Sequence, residues 1–372
     1  MDRFRVVILG TGFGRTVQAV AFGRHPGFEL AGIAGASEER TRRIAHELGI
    51  PHASGDWRRL LAELSPDLVS VVTPPDLHHP MAMAALEGGA HLLCEKPTAL
   101  HRFQAAEVRD RALALARVAA INHEFRFFPA RRHALALVRE GAIGTPRRGE
   151  IHGRYPIWHR PESRGMNWLS ERRRGGGVLG ALGSHHTDCL RTFFGEPGSV
   201  LASVRVLQPR RGPTADRPEP GIATADDAFT LHYDFAEGVT GLVDLNATTP
   251  YRWERFEIQG SDAALRWDET GYKLWRIVAG REPEEIAIPA ALALEPRSGE
   301  PALVAPFGVM IERLFSAMRG ERAMEPNFDD AVAVQSALDA ARASSDAGAR
   351  VAIEIPPRVA AAAHAGVEVS AS

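Results

Sequence analysis

Lysine is almost absent from this chain of 372 residues, in which Lys96 and Lys273 are the two lysines among 44 basic residues. Because arginine supplies positive charge almost everywhere else, a lysine kept within Cys94-Glu95-Lys96-Pro97 indicates a task that a guanidinium cannot perform. An ammonium group is compact, and its pKa shifts readily enough for it to release a proton. We therefore predict that Lys96 takes part in chemistry, the alternative being a structural salt bridge.

Cysteine is also scarce, since the chain has only Cys94 and Cys189, without CxxC spacing. This excludes a disulfide framework and a cysteine metal cluster, and it is typical of a reducing compartment. No apolar run approaches the roughly 18 residues that a membrane helix requires, and the first residues show no signal-peptide pattern. We expect a cytoplasmic protein that does not contact the membrane.

An excess of charge of either sign is missing as well, since the formal net charge is -2. A chain without a broad basic surface is not expected to bind nucleic acid, so the predicted partner is a small molecule. The chain is longer than the roughly 250 to 300 residues at which single cores stop growing, and this predicts two domains.

The first 122 residues alternate between short apolar runs and segments with helical periodicity. Strands are predicted at residues 5–9, 28–34, 68–73, 91–94 and 118–121. This alternation predicts an α/β fold, a doubly wound parallel sheet with helices on both faces. Its ligand crevice is expected at the carboxyl ends of the strands.

A glycine-rich turn, Gly10-Thr11-Gly12-Phe13-Gly14-Arg15, follows the first predicted strand. Gly10 can form a tight turn, and Gly12 lets the backbone approach a pyrophosphate, which the next helix attracts with its N-terminus. The third glycine of a GxGxxG spacing would be residue 15, but Arg15 stands there and Gly14 comes one place early. This leaves the packing of helix on strand open, and Arg15 can reach a phosphate. We predict a dinucleotide site at this turn.

The end of the second predicted strand bears on the type of dinucleotide. An acidic residue there would bind the ribose 2′-hydroxyl of NAD, but the chain has Gly35-Ala36-Ser37 and then Arg40. These residues favour a 2′-phosphate, so we predict NADP in preference to NAD. Ser37 is equally a good helix N-cap and Arg40 a solvated residue on that helix, and this alternative stays open.

Two segments, Thr73-Pro74-Pro75-Asp76-Leu77-His78 and Ala84 to Pro97, closely resemble the Gfo/Idh/MocA oxidoreductases, the group of glucose-fructose oxidoreductase and inositol dehydrogenase. The similarity continues through Asn122 to Pro129, Glu140 to Gly144, Gly175 to Leu179 and Gly183 to Asp188, so it covers nearly the whole chain. It implies an N-terminal Rossmann domain over residues 1–122 and a C-terminal α+β domain over residues 123–357. The second domain would contain a large, mostly antiparallel open sheet that forms the floor of the substrate site. The same sheet would form the interface of a homodimer or homotetramer.

The second half of the chain supports this expectation by its own pattern. Residues 226–248 and 253–267 each predict a strand pair, with Phe229, Leu231, Tyr233 and Phe235 on one face. Helices are predicted at residues 306–318 and 327–343. Residues 208–224 are predicted to form a long surface loop, and residues 358–372 a disordered tail.

Hydride transfer from a secondary alcohol requires a base for the hydroxyl proton and a group that holds the developing oxyanion. Lys96 can serve both needs if burial and its neighbours lower its pKa. The resemblance implies that His185, in a GxHxxD motif, is the active-site histidine. Glu95 is expected to point away from Lys96 and to orient cofactor or backbone.

The surroundings of His185 depart from the family pattern. An aspartate precedes the histidine by four residues in the inositol dehydrogenase branch, and Ala181 stands at that position here. His186, Asp188 or His123 can substitute for it, or Lys96 and His185 act alone. Asp188 can orient the imidazole or be a charge on a helix surface.

Further side chains are assigned to the two ligands and none to a metal. The predicted cofactor contacts are Gly10, Gly12, Phe13, Gly14, Arg15, Ser37, Arg40, Thr73, Pro74, His78, Glu95, Lys96 and Asn122. The predicted substrate contacts are Lys96, Arg126, Trp158, Trp168, His185 and Asp188. The tryptophans could form a wall for a sugar ring. The histidine pairs at 78–79 and 185–186 lack a third ligand at recognisable spacing, so no metal site is predicted.

Together these features predict an oxidoreductase that uses NADP or NAD to interconvert a hydroxyl and a ketone on a sugar, cyclitol or related polyol. Two alternatives remain: redox-neutral glycoside cleavage with a retained cofactor, and a cofactor-binding sensor without turnover. Ala181 permits the sensor, whereas Lys96 and His185 argue against it. A short-chain dehydrogenase is excluded, because neither lysine follows a tyrosine at the required Tyr-x-x-x-Lys spacing.

Overall fold

The N-terminal part of the chain folds around a parallel sheet of six strands. The computed structural model describes residues 3–268 and 270–359. The strands are β1 (Phe4–Leu9), β2 (Phe28–Ala34), β3 (His52–Ser54), β4 (Leu68–Val71), β5 (His91–Cys94) and β6 (Ala119–Ile121). Their order is β3-β2-β1-β4-β5-β6, and every neighbouring pair is parallel. The predicted doubly wound sheet is confirmed, with β3 as a strand that the sequence pattern did not indicate.

Helices cover both faces of this sheet. They are α1 (Ala19–Arg24), α2 (Glu38–Leu48), α3 (Trp57–Leu64), α4 (His78–Glu87) and α5 (Arg102–Ala114). In β1, Val6 and Ile8 lie in one apolar cluster and Val7 and Leu9 in another, so the strand is buried on both sides. Such burial explains why the strand is a continuous apolar run in the sequence.

The C-terminal part contains a sheet of nine strands that is antiparallel except for one central pair. Its strands are β7 (Pro146–Arg154), β8 (Ser199–Arg205), β11 (Ala228–Asp234), β12 (Thr240–Asn246), β13 (Trp253–Gly260), β14 (Ala264–Trp267), β15 (Leu274–Ile277), β16 (Glu284–Ile286) and β17 (Val351–Ala352). The order is β16-β15-β14-β13-β7-β12-β11-β8-β17, with β7 and β12 parallel. In β11 the predicted face, including Leu231 and Tyr233, is buried and the residues between are half-buried. The α+β prediction for this part is confirmed.

Four helices complete the fold: α6 (Pro129–Arg139), α7 (Ser184–Phe194), α8 (Val304–Met318) and α9 (Phe328–Ala347). The two late helices confirm their predictions and connect both parts of the chain. Helix α8 packs against α1, and α9 packs against α5 as well as β8. Asn327 caps α9 and pairs with Ala120 of β6 by a β-bridge. These two helices therefore fix the six-stranded sheet and the nine-stranded sheet relative to each other.

Two irregular segments contain more order than the sequence pattern indicates. Residues 208–224, predicted as a long surface loop or arm, are largely exposed and contain a short antiparallel ribbon of β9 (Arg210–Arg211) and β10 (Gly221–Ile222). Within it, Arg211 is buried and lies 3.2 Å from Asp227 in an ion pair. Within the predicted tail, Arg358 pairs with Asp329, and residues 360–372 lie outside the described residues. In the described part of the chain, no helix has the length and apolar character to cross a bilayer.

Candidate active site

The glycine-rich turn after β1 lies where the strand order reverses, between β1 and β4. Gly10 has a φ of +131°, and a Cβ there would lie 2.2 Å from the carbonyl oxygen of Val72. At Gly12 a Cβ would have no heavy atom within 4 Å, so the backbone surface is open to a ligand. An open glycine backbone beside the start of a helix fits a dinucleotide pyrophosphate. The residues present therefore fit the cofactor that the fold implies.

Gly14 resolves the question that the irregular glycine spacing raised. A Cβ at Gly14 would lie 2.9 Å from Cγ2 of Ile8, so this glycine allows the helix to pack closely on β1. Residues Gly14–Gln18 form a π-helical turn before α1, which is wider than an α-helical turn. Phe13 is half-buried against the apolar cluster that contains Ile8 and Val17. Arg15 forms an exposed ion pair with Glu47 of α2 at 2.8 Å, and its contact with a phosphate stays a prediction.

The residues after β2 have the arrangement of a helix cap. The Ser37 hydroxyl accepts a hydrogen bond from the Arg40 backbone N–H at 3.3 Å. Arg40 itself is exposed on the first turn of α2. The carboxylate of Glu38 accepts a hydrogen bond from the Gly55 backbone and pairs with Arg42. Glu38, the acidic residue nearest to the end of β2, is therefore bound to Gly55 and Arg42 and not to the glycine-rich turn.

His78 connects the loops that follow β4 and β5. It is buried, with Nε2 2.7 Å from the Thr73 carbonyl oxygen and Nδ1 3.0 Å from that of Pro97. These contacts give His78 a structural role and correct its assignment as a direct cofactor contact. They fix the backbone of Thr73 and of Pro97, and the predicted cofactor contacts of Thr73 and Pro74 stay predictions.

Glu95 and Lys96 follow β5 and have different partners. The Glu95 carboxylate is buried and accepts hydrogen bonds from Gln18 and Asn122. Burial raises its pKa, against the effects of Lys96 and the two amide donors. Lys96 is half-buried and donates to the Ala181 carbonyl oxygen at 3.2 Å. The peptide bond between Lys96 and Pro97 is cis. Asn122 is thus buried, and its side-chain amide holds the Glu95 carboxylate beneath the site surface.

His185 lies on the first turn of α7 and is 2 % exposed. Its ring stacks on Phe125, with 3.9 Å between centroids and 7° between planes. Burial, followed by the charges of Lys96 and His123, holds the pKa of His185 well below its ordinary value. The predicted pair of Lys96 and His185 is therefore brought together, and the imidazole is neutral.

Asp188 does not orient His185, and it is not a surface charge. It is fully buried and paired with Arg126 and with Arg131, the latter at 3.2 Å. Arg126 also pairs with Asp330 of α9 at 2.8 Å. Burial would raise the pKa of Asp188, but the charge of Arg126 outweighs it and the pKa lies well below its usual range. The predicted substrate contacts Arg126 and Asp188 are therefore a structural ion-pair network.

The predicted aromatic wall is also corrected. Trp158 is fully buried beneath the guanidinium of Arg211, 4.5 Å from the ring centroid, and Trp168 is half-buried in the same apolar cluster. Aromatic rings line a different space, a cavity of about 500 Å³ that borders Phe125. Its wall includes Phe256, with Trp267 stacked on it at 5.5 Å. The sequence offers no signal for this cavity, because its residues come from separate elements.

Glu124 is the site residue that the motifs did not indicate. It follows β6 directly, is 1 % exposed, and has its Oε2 atom 4.0 Å from Nε2 of His185. Its position in the similar segment Asn122 to Pro129 was the available signal. Among the described residues, no group of three or more histidine, cysteine, aspartate or glutamate side chains could hold a metal ion.

Comparison with known proteins identifies the class. Residues 4–123 match the family described as an oxidoreductase family with an NAD-binding Rossmann fold. Residues 132–266 match the Gfo/Idh/MocA C-terminal domain. The chain belongs to the Gfo/Idh/MocA oxidoreductase family and is an enzyme of that type.

Three relatives illustrate the similarity. An uncharacterised oxidoreductase of Synechocystis sp. is 25% identical over 90% of this chain and 92% of its own. Levoglucosan dehydrogenase of Pseudarthrobacter phenanthrenivorans is 27% identical over 71% of this chain and 73% of its own. The crystal structure of an oxidoreductase domain protein from Kribbella flavida has a TM-score of 0.85 and 27% identity, and covers 95% of this chain and 100% of its own.

Proposed function

We propose that this enzyme transfers a hydride between a nicotinamide dinucleotide and a secondary hydroxyl or ketone of a sugar, cyclitol or related polyol. The observation that carries the proposal is that Lys96, which follows β5 of the parallel sheet, acts on His185 through its charge and contacts the backbone that leads to His185. Lys96 donates to the Ala181 carbonyl oxygen, four residues before His185. A lysine that accepts a proton as its neutral amine, together with a neutral imidazole, is suited to alcohol oxidation at the carboxyl edge of a Rossmann sheet.

The residues divide the work as follows. Gly10, Gly12 and Gly14 shape the turn that holds the pyrophosphate. When bound, the dinucleotide supplies the acceptor or donor of the hydride. Lys96 hydrogen-bonds the reacting oxygen and, in its neutral form, takes the hydroxyl proton. His185, neutral and fixed by the Phe125 stack, holds the same oxygen from the other side.

The proposed cofactor is NADP, with NAD as the alternative. Supporting this preference, Glu38 is bound to Gly55 and Arg42, and Arg40 is exposed at the start of α2. A guanidinium at that point attracts a 2′-phosphate, whereas a carboxylate would have bound the 2′-hydroxyl of NAD.

The proposed substrate class rests on the site and on one relative. The relative is named for levoglucosan, an anhydrosugar. The cavity of about 500 Å³ beside Phe125 has room for a sugar ring, and aromatic walls pack well against pyranose faces.

We also propose an assembly of two or four copies in the cytoplasm. The face of β11 that carries Thr230, His232 and Asp234 is only half-buried in one copy and would pack on a second copy. Both cysteines are buried and unpaired, which suits a reducing compartment. Light scattering of the purified protein gives the number of copies.

A substrate panel tests the function. Cofactor-free protein is mixed with NADP⁺ or NAD⁺ and with levoglucosan, methyl glucosides, D-xylose or myo-inositol, and reduced nicotinamide is followed by its absorbance. The same protein is tested with 2-propanol, a secondary alcohol without a ring. We expect reduced cofactor with at least one ring polyol and none with 2-propanol. Binding of cofactor without turnover of any polyol, in either direction, would contradict the proposal.

A further inference from the structure

One oxygen of a buried carboxylate faces the active-site imidazole without a hydrogen-bond partner. Glu124 is 1 % exposed, and its Oε2 atom is buried and unpartnered. The same atom lies 4.0 Å from Nε2 of His185, which is too long for a hydrogen bond but within reach of a small side-chain movement. Removing a carboxylate from water without a partner is costly, so such a group in a native site calls for a functional reason.

The segment that carries Glu124 also fixes its neighbour. Phe125 stacks on the His185 ring at 3.9 Å. Because Glu124 is the residue before Phe125, this stack also fixes the position of Glu124 relative to His185. His185 Nδ1 is buried and has no partner in the structure. An imidazole whose other nitrogen is free takes its tautomer from the group that faces Nε2.

The charges around the pair decide the proton content of Glu124. Burial, and then the negative charge of Glu95, raise the pKa of Glu124 to about 8, against the opposing charge of Lys96. The titratable and charged groups around the pair are Glu95 and Lys96 after β5, His123 and Arg126 around the turn, His186, Asp188 and Arg191 on α7, and Asp330 on α9. Asp188 and Asp330 are compensated by Arg126, Arg131 and Arg191 in the ion-pair network, so Glu95 and Lys96 are the near charges that act on Glu124.

We propose that Glu124 is a positioning residue that acts through His185 and holds the proton released by the substrate. This rests on the proposed function. Oxidation of an alcohol carbon to a carbonyl sends a hydride to the dinucleotide and leaves the hydroxyl proton on the protein. Lys96 first takes the hydroxyl proton and passes it to the pair of Glu124 and His185, so that Lys96 returns to its neutral amine. The pair is a carboxylate with a neutral imidazole before the step, and a carboxylic acid with a neutral imidazole after it. In reduction the acid returns the proton through Lys96 to the new hydroxyl oxygen.

The two states of the pair place the imidazole proton differently. When Glu124 is ionised, its carboxylate accepts a hydrogen bond from Nε2–H and the His185 Nδ1 atom carries no proton. When Glu124 is protonated, its hydroxyl donates to Nε2 and the ring proton lies on Nδ1. The tautomer of His185 therefore reports the charge of Glu124 without any substrate.

Nitrogen NMR of histidine-labelled protein with bound dinucleotide measures this tautomer. The His185 signals are assigned by their loss in His185→Asn and followed from about pH 6 to about pH 10, a range that brackets a raised carboxyl pKa. We expect the tautomer to switch with a midpoint near 8 in the unaltered enzyme, and no switch in Glu124→Gln. One tautomer throughout in the unaltered enzyme, or the same switch in Glu124→Gln, would overturn the proposal.

Two further variants separate this role from a structural one. Glu257→Gln removes another buried carboxylate, one that pairs with Arg255 and Arg266 on the large sheet, and should leave the His185 titration unchanged. Glu124→Asp keeps the charge on a shorter side chain and should retain a switch with a shifted midpoint. It provides the test if Glu124→Gln does not fold. Loss of the switch in Glu257→Gln as well would also overturn the proposal.

Kinetics with a substrate from the panel give a second readout. For oxidation, kcat/KM of the unaltered enzyme should rise with pH through the Glu124 ionisation. In Glu124→Gln it should fall about tenfold or more at high pH and little at low pH, without a matching rise in KM. An unchanged pH profile in this variant would contradict the role. If the panel shows no turnover, the NMR titration still decides the state of Glu124, so the two proposals fail separately.

Discussion

The ammonium of Lys96 donates a hydrogen bond to the carbonyl oxygen of Ala181, 3.2 Å away. This contact joins the end of β5, in the parallel sheet, to the turn that leads into α7, where His185 lies. The acceptor is a neutral carbonyl group and not a carboxylate, so the bond directs Lys96 without cancelling its charge. The position of the base relative to the imidazole is therefore set by backbone that links the two parts of the chain.

The first prediction concerns two glycines of the same turn. Gly10→Ala should destabilise the fold by several kcal/mol, because its Cβ would lie 2.2 Å from the Val72 carbonyl oxygen and φ is +131°. Gly12→Ala should keep the melting temperature, because a Cβ there meets no atom within 4 Å, but it should weaken dinucleotide binding about tenfold or more. Thermal melts and fluorescence titrations measure both effects. Equal cofactor affinity in Gly12→Ala and the unaltered protein would place the pyrophosphate elsewhere.

The second prediction concerns the choice of cofactor. Arg40→Ala should weaken NADPH binding about tenfold, the loss of one charge-assisted contact, and leave NADH binding unchanged. Arg43→Ala is the matched control, since Arg43 is exposed on the same helix, about one turn beyond Arg40 and farther from the cap. Fluorescence titration of the three cofactor-free proteins with NADPH and with NADH gives the six dissociation constants. A preference for NADH in the unaltered protein would reverse the assignment and keep the fold.

The third prediction concerns the buried ion pairs of Asp188. Asp188→Asn should destabilise the protein by about 3 to 5 kcal/mol at neutral pH, because Arg126 and Arg131 lose their common partner. The folded-state pKa of Asp188 lies well below its unfolded value, so its stabilisation is present above the unfolded pKa and is lost as the pH falls. The difference between Asp188→Asn and the unaltered protein should therefore shrink below about pH 4.

Urea unfolding at neutral and acidic pH measures that difference. Asp346→Asn serves as the control, because Asp346 pairs with Arg172 in an exposed ion pair and its loss should cost about 1 kcal/mol or less. Equal stability of Asp188→Asn and Asp346→Asn at neutral pH would show that the network contributes little.

The sequence predicted those features that depend on local pattern. In β11 one face is buried, which gives an alternation of apolar and polar residues in the sequence. In β1 and β5 both faces are buried, which gives continuous apolar runs. Lys96 was predicted because lysine is rare in this chain, and His185 because it stands in the GxHxxD motif.

The features that the sequence did not predict depend on partners far apart in the chain. Arg211 is drawn inward by Asp227, and Arg126 is bound by Asp188 and Asp330, which no local pattern indicates. Glu124 was missed for the same reason, since its importance comes from the distance to His185 and not from its neighbours in sequence.

The central claim, that Lys96 performs the proton chemistry of a sugar oxidoreductase, is tested most directly by Lys96→Met. The chain supplies its own control in Lys273→Met, because Lys273 is its other lysine and is exposed. With a polyol from the panel, Lys96→Met should lose all measurable turnover, binding the dinucleotide within several-fold of the unaltered enzyme, while Lys273→Met keeps full turnover. Near-normal turnover by Lys96→Met would contradict the account.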